Sequence, residues 1–548
     1  MKFLKIGLIV DDYKLDNFNS ELFTKLAATD FCKIEAVIIN RKKKNKYDYN
    51  KILKKYSLIR IFEKILFKLI FLFEKNILYN FSEKYKFELI DLKNKKNKTL
   101  FVDPIISKKG YFYEYSDIDI KKIDSLNLDV LIRMGAGILR GKILDIGKHG
   151  ILSYHHGDND MFRGGPPGFW EVFYKKTSTG FVIQKLNNNL DGGDIYFKGS
   201  VNTQYYFYKN QQFVYKQSAK YLEIVLKKIF NQNANLIENK VYYNKIFKDP
   251  SIIQILEYII KTYSFIIFKV VNVLLAKKEN WMIGFAKSKF NEKRLEQYKI
   301  IKNKNGFFAD PFLFKKDNTN YLFVEDYSFE KKKGVISCFK LNEKNNEHLG
   351  TVLTENFHLS FPFIFEYDNQ IYMCPETHEI KEIRLYKCID FPHKWKYETT
   401  LIKNISAVDN IIFKRNNIWW LLTNTDTNEL DHNSELSIYY SNNGPVTENW
   451  KPHSLNPIYV NPDKARNGGL INHKENIYRV NQKIGFNSYG SSLEINKIDE
   501  IDEKVFEETL FSKVEPNFAK GLNGCHHMNN NDEYTVFDFL KRKYFFNR

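Results

Sequence analysis

Apolar residues in the first half of the chain gather in short unbroken runs, each closed by a polar turn. LKIGLIV (4–10) reads as a buried strand, followed by a loop with Asp11 and Asp12 and a helix near 20–28. Further strands are expected at 34–39 (IEAVII), 87–92, 128–134 (LDVLIRM), 150–152, 181–186 and 195–197, with helical pieces near 170–174 and 217–230. Such strand–helix–strand alternation predicts an α/β domain over residues 1–245, built on a doubly wound parallel sheet. No G-x-G-x-x-G follows the first strand, which argues against a dinucleotide cofactor.

Two stretches are longer and more apolar. Residues 51–80 and 252–275 are rich in Ile, Leu and Phe, but Lys, Arg and Glu interrupt both too often for a bilayer span. Each reads as an amphipathic helix, either packed on its own domain or resting on a membrane surface. The second is expected to serve as a linker, within residues 246–280.

From Trp281 the pattern changes to short aromatic strands. FADPFLFKKDNTNYLFVED (from Phe308), SFPFIFEYDNQIYMCPE (from Ser360) and AVDNIIFKRNNIWWLLTN (from Ala407) share a strand, a polar turn and a second aromatic strand. Weaker copies start at Ala465 and Gly524. A period of about fifty residues is that of propeller blades, and five copies predict an all-β five-bladed β-propeller over 281–548.

Composition changes this picture little. The 548 residues are 43% hydrophobic, enough for two or three cores. Cys32, Cys338, Cys374, Cys388 and Cys525 are scattered without a C-x-x-C pair, so neither a disulfide framework nor a zinc ribbon is expected. The opening MKFLKIGLIVDDYKLDN has too short an apolar core for a signal peptide. A cytoplasmic protein is expected, peripheral to the inner face of the membrane if either amphipathic stretch rests there. The net charge of +19 comes from lysines spread along the whole chain, with no arginine-rich patch, so no nucleic-acid partner is expected. Nothing in the sequence speaks to oligomeric state.

Candidate chemistry concentrates in 150–194. Ser153-Tyr154-His155 is followed by His156 and Asp158, then Arg163-Gly164 with Pro167, then Leu190-Asp191-Gly192-Gly193-Asp194. In order and spacing these resemble the Asn-x-His, Arg-Gly…Pro and Leu-Asp-x-Gly-Asp elements of folate-dependent formyltransferases, over roughly the first 240 residues. Ser153 stands where that family has asparagine. The resemblance implies 10-formyltetrahydrofolate as formyl donor and a sugar or sugar-nucleotide amine as acceptor. It gives His155 and Asp191 the catalytic roles, with Ser153 donating to the oxyanion. It also implies that Gly135, Gly137, Ile138, Leu139 and Asp194 meet the folate. His156 and Asp158 are supporting candidates, and Arg163 reads as a loop anchor. No H-E-x-x-H spacing accompanies the histidines, so no metal is expected.

In the propeller half, FADPFLF, HLSFPFIFEYDNQIYMCPE and KARNGGL resemble the N-terminal region of the plant glucosamine inositolphosphorylceramide transferases, and more loosely five-bladed glycoside hydrolases. Asp310, Asp409 and Asn467 fall at the same point of their repeats, near the start of the inner strand that faces the central channel. Glu325, Glu376, Arg466 and His526 are expected to join them. The leading expectation is formyl transfer to an amino sugar in bacterial surface-polysaccharide biosynthesis. Two alternatives stay open: a sugar-binding protein with an inactive formyltransferase fold, or glycan processing in the propeller.

Overall fold

The computed structural model describes residues 3–41, 57–79, 87–95, 97–108, 110–135, 137–188, 193–234, 236–237, 242–274, 280–287, 298–342, 346–486, 488–517 and 522–541. It divides into two units, 1–267 and 268–548.

The first unit is built on a seven-stranded sheet, in the order Asp194–Asn202, Ser178–Lys185, Ile151–His155, Val130–Arg133, Leu4–Val10, Cys32–Asn40, Lys98–Val102. The strand at Leu4–Val10 pairs in parallel with both neighbours, and Val130–Arg133 pairs in parallel with Ile151–His155. Runs of Ile, Val and Leu suit a parallel sheet because both of its faces are covered. On one face Ile9, Ile38, Leu131 and Ile151 pack with Ile123, Leu139 and Ile143. Helix Asn17–Ala27 packs on the sheet too, its amino end closed by Asp16, whose carboxylate accepts from the Asn19 N–H at 2.9 Å.

Three expectations change. The sheet is not parallel throughout: Ser178–Lys185 runs antiparallel to both Ile151–His155 and Asp194–Asn202, because at each step the chain reverses direction instead of crossing back to begin a parallel strand. The run 87–92 is not a sheet strand. It touches the loop after the first strand, through Leu15 N–H to Ile90 O and Leu92 N–H to Tyr13 O, and Lys98–Val102 takes the place beside Cys32–Asn40. The long helix Ile252–Leu274 is not simply a connector. The unit boundary falls within it, and its Ile255 and Tyr258 are buried against Phe169, Trp170 and Phe207 of the first unit.

Of the stretch 51–80, residues 57–79 are described. Leu58–Phe73 is an α-helix that passes into a π-turn at Glu74–Leu78, with Ile70 in the same core as Tyr258.

The second unit is a ring of five antiparallel sheets. The inner strands Gly306–Lys316, Ser360–Tyr367, Ala407–Arg415, Asn467–His473 and Met528–Asn530 neighbour one another in that order, and the last neighbours the first. All five sequence repeats fall on inner strands and their hairpin partners. One blade joins both ends of the unit: Asn280–Ala286 pairs antiparallel with Thr535–Lys541, from Asn280 opposite Lys541 to Ala286 opposite Thr535.

Candidate functional site

Ser153 and His155 lie two residues apart on a strand held between Val130–Arg133 and Ser178–Lys185, at its carboxyl end. Loops at that end of a parallel sheet collect polar groups without disturbing the core. Ser153 is buried, and its Oγ accepts from Arg133 Nη1 at 3.1 Å. Arg133 Nε in turn donates to Gly137 O at 2.7 Å, which fixes the guanidinium between strand and loop. The ring of His155 lies over Gly157, where an added Cβ would come within 3.1 Å of Nε2.

A pocket of about 330 Å³ opens beside these strand ends, lined by Ser153, His156, Arg133, Gly135, Asp11 and Tyr215 among others. His156, just past the end of the strand, lines it together with Ser153 and Tyr154, and His155 does not. His156 is stacked on Tyr154, meets Phe18 and Tyr215 edge-on, and has Nε2 3.1 Å from Ser218 Oγ. Burial, with His155 adding, pushes its pKa down to about 3, so it is a neutral wall of the pocket.

The other expected residues separate. Asp191, Leu190 and Gly192 lie outside the described residues. Asp158 is turned to Lys198 at 3.2 Å and does not line the pocket. Arg163 is buried and donates to Tyr242 O, anchoring its loop. Asp194 opens the last strand, opposite Lys185. Gly135 faces the pocket, and a Cβ there would come within 3.0 Å of Asp11 Oδ1. At Ile138 and Leu139, expected to meet the folate, one main-chain donor is already engaged. These residues form a short strand beside Phe112–Glu114, and the Ile138 N–H already donates to Tyr111 O at 2.8 Å. Arg133 was missed by the sequence reading. Its signal was there, as one charge in an otherwise apolar strand end.

In the propeller, Asp310 and Asp409 have φ near +50° and sit on matching β-bulges. The strand before each bulge ends at Ala309, Ser360, Val408 and Asn467, so Asn467 stands one place earlier than the two aspartates. Its amide donates to Asp409 O at 2.9 Å instead of sharing their position. Bulges re-aim side chains. Opposite the residues before the first two bulges stand Glu325 and Glu376, giving a buried group of Asp310, Glu325, Glu376 and Asp409.

These carboxylates are not alike. Burial pushes Glu325 far up, with Asp310 and Glu376 adding to the effect. Burial opposes ionisation of Glu376 as well, but His378 at 2.8 Å, with Arg466 and His358, holds it below its usual value. Asp409 is raised to about 7 by burial, against the pull of its partner Arg466. His526 bridges Asp310 at 3.1 Å and Asp538 at 2.9 Å. The ligand atoms of these three residues lie within 4.8 Å of one another, a spacing a metal ion could also use. Burial opposes its charge, yet the two carboxylates raise His526 to about 10, so the ring itself supplies the cation there.

Comparison with known proteins assigns the two regions separately. Residues 296–534 match the family model "Glucosamine inositolphosphorylceramide transferase 1, N-terminal". Glucosamine inositolphosphorylceramide transferase 1 of Arabidopsis thaliana is 35% identical over 259 residues, covering 42% of this chain and 33% of that protein. The N-terminal region matches methionyl-tRNA formyltransferase of Clostridioides difficile (strain 630), 36% identical over 84 residues, covering 15% of this chain and 27% of that protein. Among solved structures, glycinamide ribonucleotide transformylase 1 from Symbiobacterium toebii is 11% identical with a TM-score of 0.29, over 44% of this chain and 94% of that one. The chain spans about a third of the length of the curated relatives it matches. The relatives of both regions are transferases by name.

Proposed function

We propose that the first unit transfers a formyl group from 10-formyltetrahydrofolate to the amine of an amino sugar or related acceptor, in surface-polysaccharide biosynthesis. The observation that carries this reading is Ser153-x-His155 at the carboxyl end of a central strand, with Arg133 fixed beside it. Attack of an amine on a formyl carbon makes a tetrahedral oxyanion, which needs donors placed where the charge develops. Arg133 occupies one lone pair of Ser153 Oγ, and the hydroxyl donates a long bond of 3.3 Å to Tyr154 O, a proton that must turn from that carbonyl to the oxyanion as charge develops. His155 supplies the second donor to the oxyanion, and Asp191 is assigned the relay of the amine proton. The pocket is of ligand size, and Gly135 admits a flat ring close to the main chain.

The test is a mass-spectrometric screen of amino sugars and their nucleotides, incubated with 10-formyltetrahydrofolate and the full chain. A product carrying one formyl group, absent with His155→Ala, supports the reading. Absence of folate binding by calorimetry overturns it.

A second reading rests on the buried group of Asp310, Glu325, Glu376 and Asp409, in which Glu325 and Asp409 are raised and Glu376 is lowered. Such a group suits recognition or processing of a carbohydrate, with the first unit inactive. Tight glycan binding by a chain that neither binds folate nor formylates any amine would favour it.

A further inference from the structure

We propose that helices Leu58–Phe73 and Ile252–Leu274 together form a docking face for an anionic lipid bilayer, independently of the transfer chemistry. Sequence patterning marks each stretch alone as amphipathic. The structure adds that the two lie side by side. Arg60 donates to the carbonyls of Asp249 at 2.9 Å and Pro250 at 3.3 Å, and the Glu63 carboxylate accepts from Ile252 N–H at 2.9 Å. One helical stretch further on, Ile70 and Tyr258 share one core, and Tyr258 and Tyr263 both donate to Glu74. The polar anchors thus run between the helices and into the unit, and each helix keeps its opposite side for solvent.

That opposite side is apolar. Leu58, Phe62, Ile65 and Leu69 recur at three- and four-residue spacing and are all more than half exposed, as are Ile253 and Ile260 on the second helix. An apolar stripe of this kind is costly in water and unusual for a surface without a partner. No helix of the described residues is long and apolar enough to cross a membrane, so this face is suited to lie in the interface and not to span it.

Charge selects the occupant. Lys68 and Lys75 are exposed beside the stripe, and among the described residues neither has an acidic partner. In a two-fold contact through this face each copy would bring the same two cations, which repel. Anionic headgroups pair with them, and the lysine stems can lie along the acyl boundary.

The experiment is flotation of the full chain with vesicles of phosphatidylcholine alone, or of phosphatidylcholine and phosphatidylglycerol in equal parts. The wild type should float with the mixed vesicles and less with the neutral ones. The variant Phe62→Ser/Leu69→Ser/Ile260→Ser replaces only exposed side chains and should lower partitioning at least about tenfold, with an unchanged circular dichroism spectrum. Lys68→Glu/Lys75→Glu should remove the preference for anionic vesicles. The proposal is overturned by a wild type that stays with the pellet, by a triple variant that floats as well as wild type, or by equal flotation with both vesicles. A lipid-free dimer that the triple variant dissolves would give the face to a second copy and also overturn it.

Discussion

Replacing Glu74 by glutamine should invert the stability ranking of the first unit between acid and neutral pH. Glu74 is wholly buried where the α-helix passes into its π-turn, and accepts from Tyr258 OH at 2.5 Å, Tyr208 N–H at 2.8 Å and Tyr263 OH at 3.3 Å. Burial outweighs those donors and raises its carboxyl from 4.5 to about 7. Between these values the folded unit holds a proton that the unfolded chain has released. Stability from this group is therefore full below pH 4.5, falls as pH rises, and is gone above about 7. A displacement of that size corresponds to at most about 3–4 kcal/mol. Glutamine does not titrate, and costs about 1 kcal/mol by offering a donor where three donors already converge. Wild type should thus be the more stable near pH 5 and the variant near pH 7.5. Cys32 gives the readout, because it is buried and is the one cysteine within residues 1–267. Samples equilibrated in urea at each pH are pulsed with a thiol reagent at one fixed pH, and Cys32 labelling is read by mass spectrometry. Glu171, raised by burial to about 8, contributes equally to both proteins and cancels. A difference between wild type and variant that stays constant from pH 5 to 7.5 would falsify the argument.

Three further outcomes are expected. Ser153→Ala should lower kcat for formyl transfer about ten- to a thousandfold while folate affinity, measured by calorimetry, stays nearly unchanged, since the lost donor acts on the transition state. Arg479→Met should destabilise the propeller by about 3–5 kcal/mol in thermal unfolding, because it strands the buried Glu508 that Arg479 holds at 2.5 Å and 2.9 Å; adding Glu508→Leu should recover much of the loss. Removing residues 535–548 deletes a strand of the closing blade, and the shortened chain should lose protease resistance over 306–514.

Much of this architecture was legible in the amino-acid pattern, for reasons that differ between the two units. Blades announce themselves because each repeats one hairpin, and Phe308, Ser360 and Ala407 each open a copy whose apolar positions alternate. The sheet of the first unit was legible where a strand is buried on both faces, as at 4–10 and 128–134. It was illegible at 87–92, where an apolar run is as hydrophobic as a strand yet finds its partners in a loop, and at Lys98–Val102, whose flanking lysines hide it. Pairing of Ile138 and Leu139 with Phe112–Glu114 is a long-range event that no local pattern encodes. The site divides in the same way. Spacing brought Ser153 and His155 together because a strand fixes residues two apart on one face. The pocket takes Ser153 and, beyond the strand's end, His156 instead of His155, which the two-residue rule does not encode, and Asp158 follows a lysine forty residues away. Asn467 stands one place before the position of Asp310 and Asp409, since its bulge falls after it, between Asn467 and Leu470, whereas theirs contain the aspartates.

The blade that joins Asn280–Ala286 to Thr535–Lys541 has a consequence for how such a protein could arise. A ring latched by its own first and last strands presents its entry and exit a hydrogen bond apart, so a neighbouring segment needs only a short tether at either end. Such a module is portable: it can be spliced before one catalytic partner or behind another without re-threading a single blade. In the plant proteins it is named for the amino-terminal end, and here it stands behind an α/β unit. A self-latching cassette permits placement at either end of a longer chain, and an open sheet, with strands shared across its boundary, does not.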